Sequence, residues 1–140
     1  NSLDIFLKNG AKKAIQLSVS APFHCPLMQP AKEIMDETLK SVNLLEPIVP
    51  ILSNVTVESN NVISNIKDNL INQVTEMVRW RETMARFNND GVIDYIEIGS
   101  GAVLSNLVKR SYPSFNRRPV NDKASVESFL CYLDNEGFND

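Results

Sequence analysis

His24 is the only histidine in this chain, and it sits in Ser20-Ala21-Pro22-Phe23-His24-Cys25-Pro26, bracketed by two prolines. Imidazole is the side chain whose ordinary titration range lies across neutral pH, which makes His24 the first candidate for proton transfer. Taken bare, a lone histidine in a loop reads first as a structural or solvated residue. Cys25 beside it invites a Cys/His dyad. Neighbouring side chains on an extended chain point apart, however, so Cys25 reads as packing. Cys25 and Cys131 are too few and too distant in sequence for a disulfide framework or a metal cluster, and no metal site is expected.

Three other groups of residues could carry chemistry. Gly99-Ser100-Gly101 suggests a phosphate-binding turn, but Leu104 stands where a dinucleotide fingerprint needs its third glycine, and no Walker lysine follows. It reads as a tight turn. Trp80 of Arg79-Trp80-Arg81 shares an apolar stripe with Met77 and Met84, so core burial between surface arginines is expected. Lys12-Lys13, Lys109-Arg110 and Arg117-Arg118 read as solvated charge, and Lys109-Arg110 also suits the negative end of a helix.

These residues need a scaffold, and 140 residues are enough for one domain with a real core. A composition 43% hydrophobic and 22% charged is that of a globular protein, and the net charge of −3 argues against nucleic-acid binding. No apolar run reaches the roughly 18 residues of a membrane span, and the first residues lack a signal pattern, so a cytoplasmic protein without membrane contact is expected. The chain begins at Asn1, as a processed or truncated piece would.

Leu3, Phe6 and Leu7 predict a short helix from Ser2 to Gly10. Alternation of Ile15, Leu17, Val19 and Ala21 predicts a strand ended by Pro22. Leu27, Ala31, Ile34, Met35, Leu39 and Val42 mark the clearest amphipathic helix, with Pro30 tolerable only in its first turn. Residues 48–57 read as an irregular strand or pair of strands. Ile63, Ile66, Leu70 and Val74 predict a helix, and Met77, Trp80, Met84 and Phe87 another, stopped by Asn89-Asp90-Gly91. Residues 92–98 are β-branched and aromatic, hence a strand. A helix with Val103, Leu104, Leu107 and Val108 on its inner face follows it. Residues 111–122, with two prolines, read as a loop or linker. A last helix is expected at 125–133, with Val126, Phe129, Leu130 and Leu133 inward. Alternating helices and strands imply the α/β class, around a parallel sheet.

Three segments in order resemble the malonyl-CoA:acyl carrier protein transacylases and the related acyltransferase domains of polyketide and fatty-acid synthases. The first is residues 19–28 around His24. The second is Pro50-Ile51-Leu52-Ser53-Asn54-Val55, followed by Leu70-Ile71-Asn72-Gln73 and Val78-Arg79-Trp80. The third is Tyr95-Ile96-Glu97-Ile98-Gly99-Ser100-Gly101 with Val103-Leu104 and Leu107. The resemblance spans nearly the whole chain.

It implies that residues 1–20 end a small ferredoxin-like subdomain and residues 21–140 form the C-terminal part of an α/β-hydrolase-like large subdomain. It implies a covalent, ping-pong transfer of a malonyl group from malonyl-CoA to the phosphopantetheine thiol of acyl carrier protein, in fatty-acid biosynthesis, without a cofactor of the enzyme's own. A serine in a Gly-His-Ser-x-Gly elbow attacks the thioester, and the histidine matching His24 takes its proton and later activates the carrier thiol. Gln73 is implicated through its backbone carbonyl, which holds the imidazole where an aspartate usually does. Phe23 matches the position where malonyl-selective domains commonly carry phenylalanine and methylmalonyl-selective ones serine.

Departures accompany these matches. No Gly-x-Ser-x-Gly occurs in these residues, Met77 replaces the family's proline before Val-x-Trp, and Ser100 replaces the proline of Gly-Pro-Gly. The chain is therefore expected to be inactive alone and to act with an N-terminal half that carries the serine, the oxyanion hole and the arginine for the malonyl carboxylate. A piece of a synthase acyltransferase domain and a non-catalytic module that retains carrier-protein contacts are the alternatives. The ending soon after the last helix favours the discrete enzyme.

Overall fold

The computed structural model describes residues 2–16 and 19–135. It is of mixed α/β class and divides into two compact units, one of residues 1–49 and 61–78, the other of residues 50–60 and 79–140.

The first unit is helical. Helix α1 (Ser2–Lys8) ends where Gly10 turns left-handed at φ 93°. The amides of Gly10 and Ala11 donate to the carbonyls of Leu7 and Phe6, which satisfies the acceptors left over at a helix end. The strand predicted at 15–21 is not formed by its described residues: Leu17 and Ser18 lie outside them, and residues 13–16 and 19 are irregular. A strand exists only through ladder bonds to a neighbour, and no described segment pairs here, so alternation alone was insufficient. The next helix begins as a 3-10 turn (Pro26–Met28) and continues as α2 (Gln29–Ser41), with Pro30 in the first turn, where its missing N–H costs nothing. Helix α3 (Ile63–Asn72) packs against α2. Leu39 and Ile66 are the buried apolar residues of the two helices. The Lys67 ammonium donates to the carbonyls of Leu39 and Val42, both at 2.9 Å, closing the C-terminal end of α2.

The second unit contains both sheets. Strands β1 (Ile51–Leu52) and β2 (Ser59–Asn60) are antiparallel. Val55 and Val57, expected in a strand, lie in the turn between them. There the Ser53 hydroxyl accepts from the amides of Val55 and Thr56, and Val57 adopts φ 59°. Helix α4 (Trp80–Asn89) begins later than predicted, leaving Met77 exposed rather than on an inner face. Strand β3 (Asp94–Ile98), helix α5 (Val103–Ser111) and strand β4 (Asn116–Val120) form a βαβ unit whose strands pair in parallel, Asp94 opposite Asn116 through Ile98 opposite Val120. Strand β4 corrects the loop expected at 111–122. Pro119 argued against a strand, but β4 pairs only with β3 among the described residues, and an edge strand tolerates a residue without an N–H. Helix α6 (Lys123–Asn135) follows. The core is Met84, Val108 and Phe115, with Trp80, Phe87, Tyr95 and Tyr112 packed around it. Val103, Leu104 and Leu107 on α5 and Val126 and Leu130 on α6, all expected inward, are exposed.

Candidate functional site

His24 occupies a left-handed backbone conformation, φ 57°, immediately before Cys25, which is extended at φ −148° and ψ 168°. A non-glycine residue in that region costs about 1–2 kcal/mol and persists only when its surroundings hold it. The holding contacts are visible. After His24 the chain enters the 3-10 turn, where Met28 N–H donates to the Cys25 carbonyl at 3.0 Å. The ring itself reaches across to the end of α3, with Nδ1 2.7 Å from the backbone carbonyl oxygen of Gln73.

That contact fixes the chemistry of the ring. A carbonyl oxygen only accepts, so Nδ1 carries the hydrogen and donates it. In the neutral ring the lone pair then lies on Nε2, and His24 is exposed, so Nε2 is open to a proton from a neighbouring group. Gln73 supplies the acceptor because it is the C-cap of α3: its own N–H donates to Asn69, while its carbonyl lies past the last helical turn and needs an outside donor. A cation at this helix end is also favoured by the helix dipole.

The other sequence candidates separate. Cys25 donates its thiol to the Pro22 carbonyl at 3.1 Å, so Cys25 and His24 are engaged independently and no dyad forms. Phe23 is exposed beside His24. Gly99-Ser100-Gly101 is a turn, with φ 146° and 82° at its glycines, and the Asn121 side-chain amide (Nδ2) donates to the Gly101 carbonyl. Among the described residues no group of three or more histidine, cysteine or acidic side chains is placed to hold a metal ion. No helix among them is long and apolar enough to cross a membrane.

Sequence reasoning missed two polar residues, the first of them next to the site. Lys32 on α2 donates from Nζ to Oδ1 of Asn72, the last residue of α3, at 2.8 Å. Lys32 lies on the polar side of an amphipathic pattern, and nothing in that pattern marks it for a partner on another helix. It also missed Glu97, whose carboxylate accepts from the amides of Leu104 and Ser105 at 3.0 and 2.7 Å and so caps α5.

No protein-family model matches the chain. It is 40% identical over 124 residues to the malonyl CoA-acyl carrier protein transacylase of Haemophilus influenzae, a match covering 86% of the chain and 40% of that protein. To the same enzyme of Bacillus subtilis it is 39% identical over 132 residues, 94% of the chain and 42% of that protein. Its fold matches the crystal structure of the acyl-carrier-protein-S-malonyltransferase from Bartonella henselae with a TM-score of 0.86 at 40% identity, over 95% of this chain and 42% of that one. It also matches a chain in the structure of a type II PKS acyl-carrier protein in complex with its malonyl-transacylase, with a TM-score of 0.81 at 36% identity, over 89% of this chain and 40% of that one. The chain is thus similar over most of its length to malonyl CoA-acyl carrier protein transacylases, and spans about two fifths of the length of the curated relatives it matches.

Proposed function

We propose that this chain is the histidine-bearing portion of a malonyl-CoA:acyl carrier protein transacylase, which supplies the general base of the reaction to a serine carried elsewhere in the enzyme. The observation that carries the reading is the 2.7 Å contact from His24 Nδ1 to the Gln73 carbonyl, which leaves Nε2 as the base. With malonyl-CoA bound, Nε2 accepts the serine hydroxyl proton as the oxygen attacks the thioester carbonyl. The imidazolium returns that proton to the departing CoA sulfur, leaving a malonyl ester on serine. In the second half-reaction Nε2 takes the proton of the phosphopantetheine thiol, the sulfur attacks the ester, and the serine oxygen recovers its proton. The Gln73 carbonyl fixes the tautomer and supports the transient imidazolium without contributing a full charge.

In this reading the enzyme needs no cofactor or metal, works in the cytoplasm in fatty-acid biosynthesis, and has malonyl-CoA and acyl carrier protein as its partners. The fold match to a transacylase bound to a carrier protein supports the second partner. Residues 1–20 would close a ferredoxin-like small subdomain and residues 21–140 complete an α/β-hydrolase-like large one.

The test is reconstitution. The chain is mixed with a separately produced serine-bearing portion, and malonyl transfer from malonyl-CoA to holo acyl carrier protein is followed. Transfer should require both polypeptides and vanish with His24→Ala, because loss of one member of such a pair leaves only residual catalysis. Carrier-protein binding without any transfer in the mixture would instead favour a non-catalytic module. Transfer by the chain alone that is lost on His24→Ala would show that the nucleophile lies within these residues.

A further inference from the structure

We infer that Lys32 is a positioning residue for His24, acting through Asn72 and the end of α3. The His24 loop and Lys32 belong to one continuous stretch, because the 3-10 turn that follows the loop runs directly into α2. This stretch touches the end of α3 at two adjacent residues. The His24 ring bonds the Gln73 carbonyl at 2.7 Å, and the Lys32 ammonium bonds the Asn72 side chain at 2.8 Å. The Asn72 main-chain carbonyl is held as well, accepting from the amides of Thr75 and Glu76 at 3.1 and 3.0 Å.

A single bond from a loop to a helix end leaves the helix free to slide or rotate against it. Two bonds to consecutive residues fix both the approach and the direction of the Gln73 carbonyl. The Lys32 bond is the stronger candidate for setting that geometry, because its donor is charged, half-buried and mounted on a regular helix. The ring sits on an exposed loop whose backbone is strained, and water can compete for its Nδ1 hydrogen. Without Lys32 the ring therefore samples the alternative tautomer with hydrogen on Nε2, which cannot accept a proton there. The α2–α3 pair is tied a second time at the C-terminal end of α2, by Lys67 to the Leu39 and Val42 carbonyls, which supplies an internal control.

The consequence for catalysis rests on the transacylase reading, but the geometric claim does not, and the experiment separates them. His24 is the only histidine, so nitrogen-15 NMR of the imidazole in the whole chain reports its tautomer without ambiguity. The wild-type ring should show predominantly Nδ1–H. Lys32→Met and, independently, Asn72→Ala should each lower the Nδ1–H to Nε2–H ratio by about two- to tenfold, the weight of one ordinary hydrogen bond. Lys32→Arg should restore it, and Lys67→Met should leave it unchanged even if the melting temperature falls. An unchanged ratio in folded Lys32→Met or Asn72→Ala overturns the inference, as does an equal change in Lys67→Met, which would make Lys32 a general packing tie. In the reconstituted enzyme Lys32→Met should lower kcat with KM little altered. Absence of any transfer in the wild-type mixture, with the tautomer effect intact, would count against the transacylase reading alone.

Discussion

An imidazole held by a main-chain oxygen keeps its tautomer without a carboxylate as its partner. Phe23 is the neighbour whose variation has a direct readout. It is 57% exposed beside His24, and in the proposed transacylase a ring there should crowd a substituent on the α-carbon of the acyl group. One methyl in a pocket is worth about 1–3 kcal/mol of discrimination. In a reconstituted enzyme Phe23→Ser should therefore weaken the preference for malonyl-CoA over methylmalonyl-CoA by up to that amount without inverting it, measured as the ratio of kcat/KM values. Unchanged discrimination would remove Phe23 from the acyl site. His24 stood out in the sequence as the lone histidine between prolines, but taken bare it read as structural or solvated, and only resemblance to a family gave it a role. Gln73 was not legible from pattern, because every residue type carries a carbonyl, and only resemblance to a family pointed to it. Lys32 was invisible for a related reason: the periodicity of a helix records what faces its core, not which polar residue finds a partner on the next helix.

At the scale of elements, helix α5 depends on a carboxylate from the strand before it. Glu97 accepts hydrogen bonds from Ser105 and from the Leu104 amide, and these hold its carboxyl below the usual value of 4.5. A folded value below the unfolded one means that the charged carboxylate adds stability above pH 4.5. That addition disappears as the pH falls through the folded value. Glu97→Gln keeps the shape and an acceptor but no charge. Its urea midpoint should lie below that of the wild type near neutrality and converge with it in acid. A difference independent of pH would show that the cap acts through shape alone. Helices α2 to α6 were legible because each shows apolar residues at three- and four-residue spacing. Strand β4 was not, since its Pro119 and paired arginines describe an edge strand only once β3 is known to lie on one side. The alternating residues around Val19 erred in the opposite direction, having the period of a strand without a neighbour to pair with among the described residues.

Across the whole chain, apolar surface is distributed unlike that of a self-contained globular protein. Leu27, Ile34, Ile48, Val49 and Ile98 are each more than 60% exposed, while Met84 and Val108 are the large side chains buried almost completely among the described residues. Contiguous apolar surface of more than a few hundred Å² on a soluble monomer is uncommon and tends to find a partner. Among the described residues β3 pairs on one side only, with β4, and an edge left open in this way favours strand addition. A polypeptide of these 140 residues should therefore self-associate at micromolar concentration and bind a hydrophobic dye, and the complementary portion of a transacylase should suppress both. Sedimentation of a compact monomer with no dye binding and a cooperative melt would show that these faces need no cover, and would weaken the reading of the chain as part of a larger enzyme.

The parallel pairing of β3 with β4 also sets an order of events in time. Every partner in the ladder, from Asp94 with Asn116 to Ile98 with Val120, is reached only across the intervening helix α5. Closing that segment has an entropic cost before any ladder bond forms, so early formation of α5, which shortens the search, should govern the rate of assembly. Asn106 lies on the exposed side of α5, where alanine and glycine differ by about 1 kcal/mol in helix stability. In stopped-flow refolding the Asn106→Ala variant should fold about fivefold faster than Asn106→Gly, with nearly equal unfolding rates. If the difference appeared in unfolding instead, the strands would be meeting before the helix that joins them, and the ladder rather than α5 would be the nucleus.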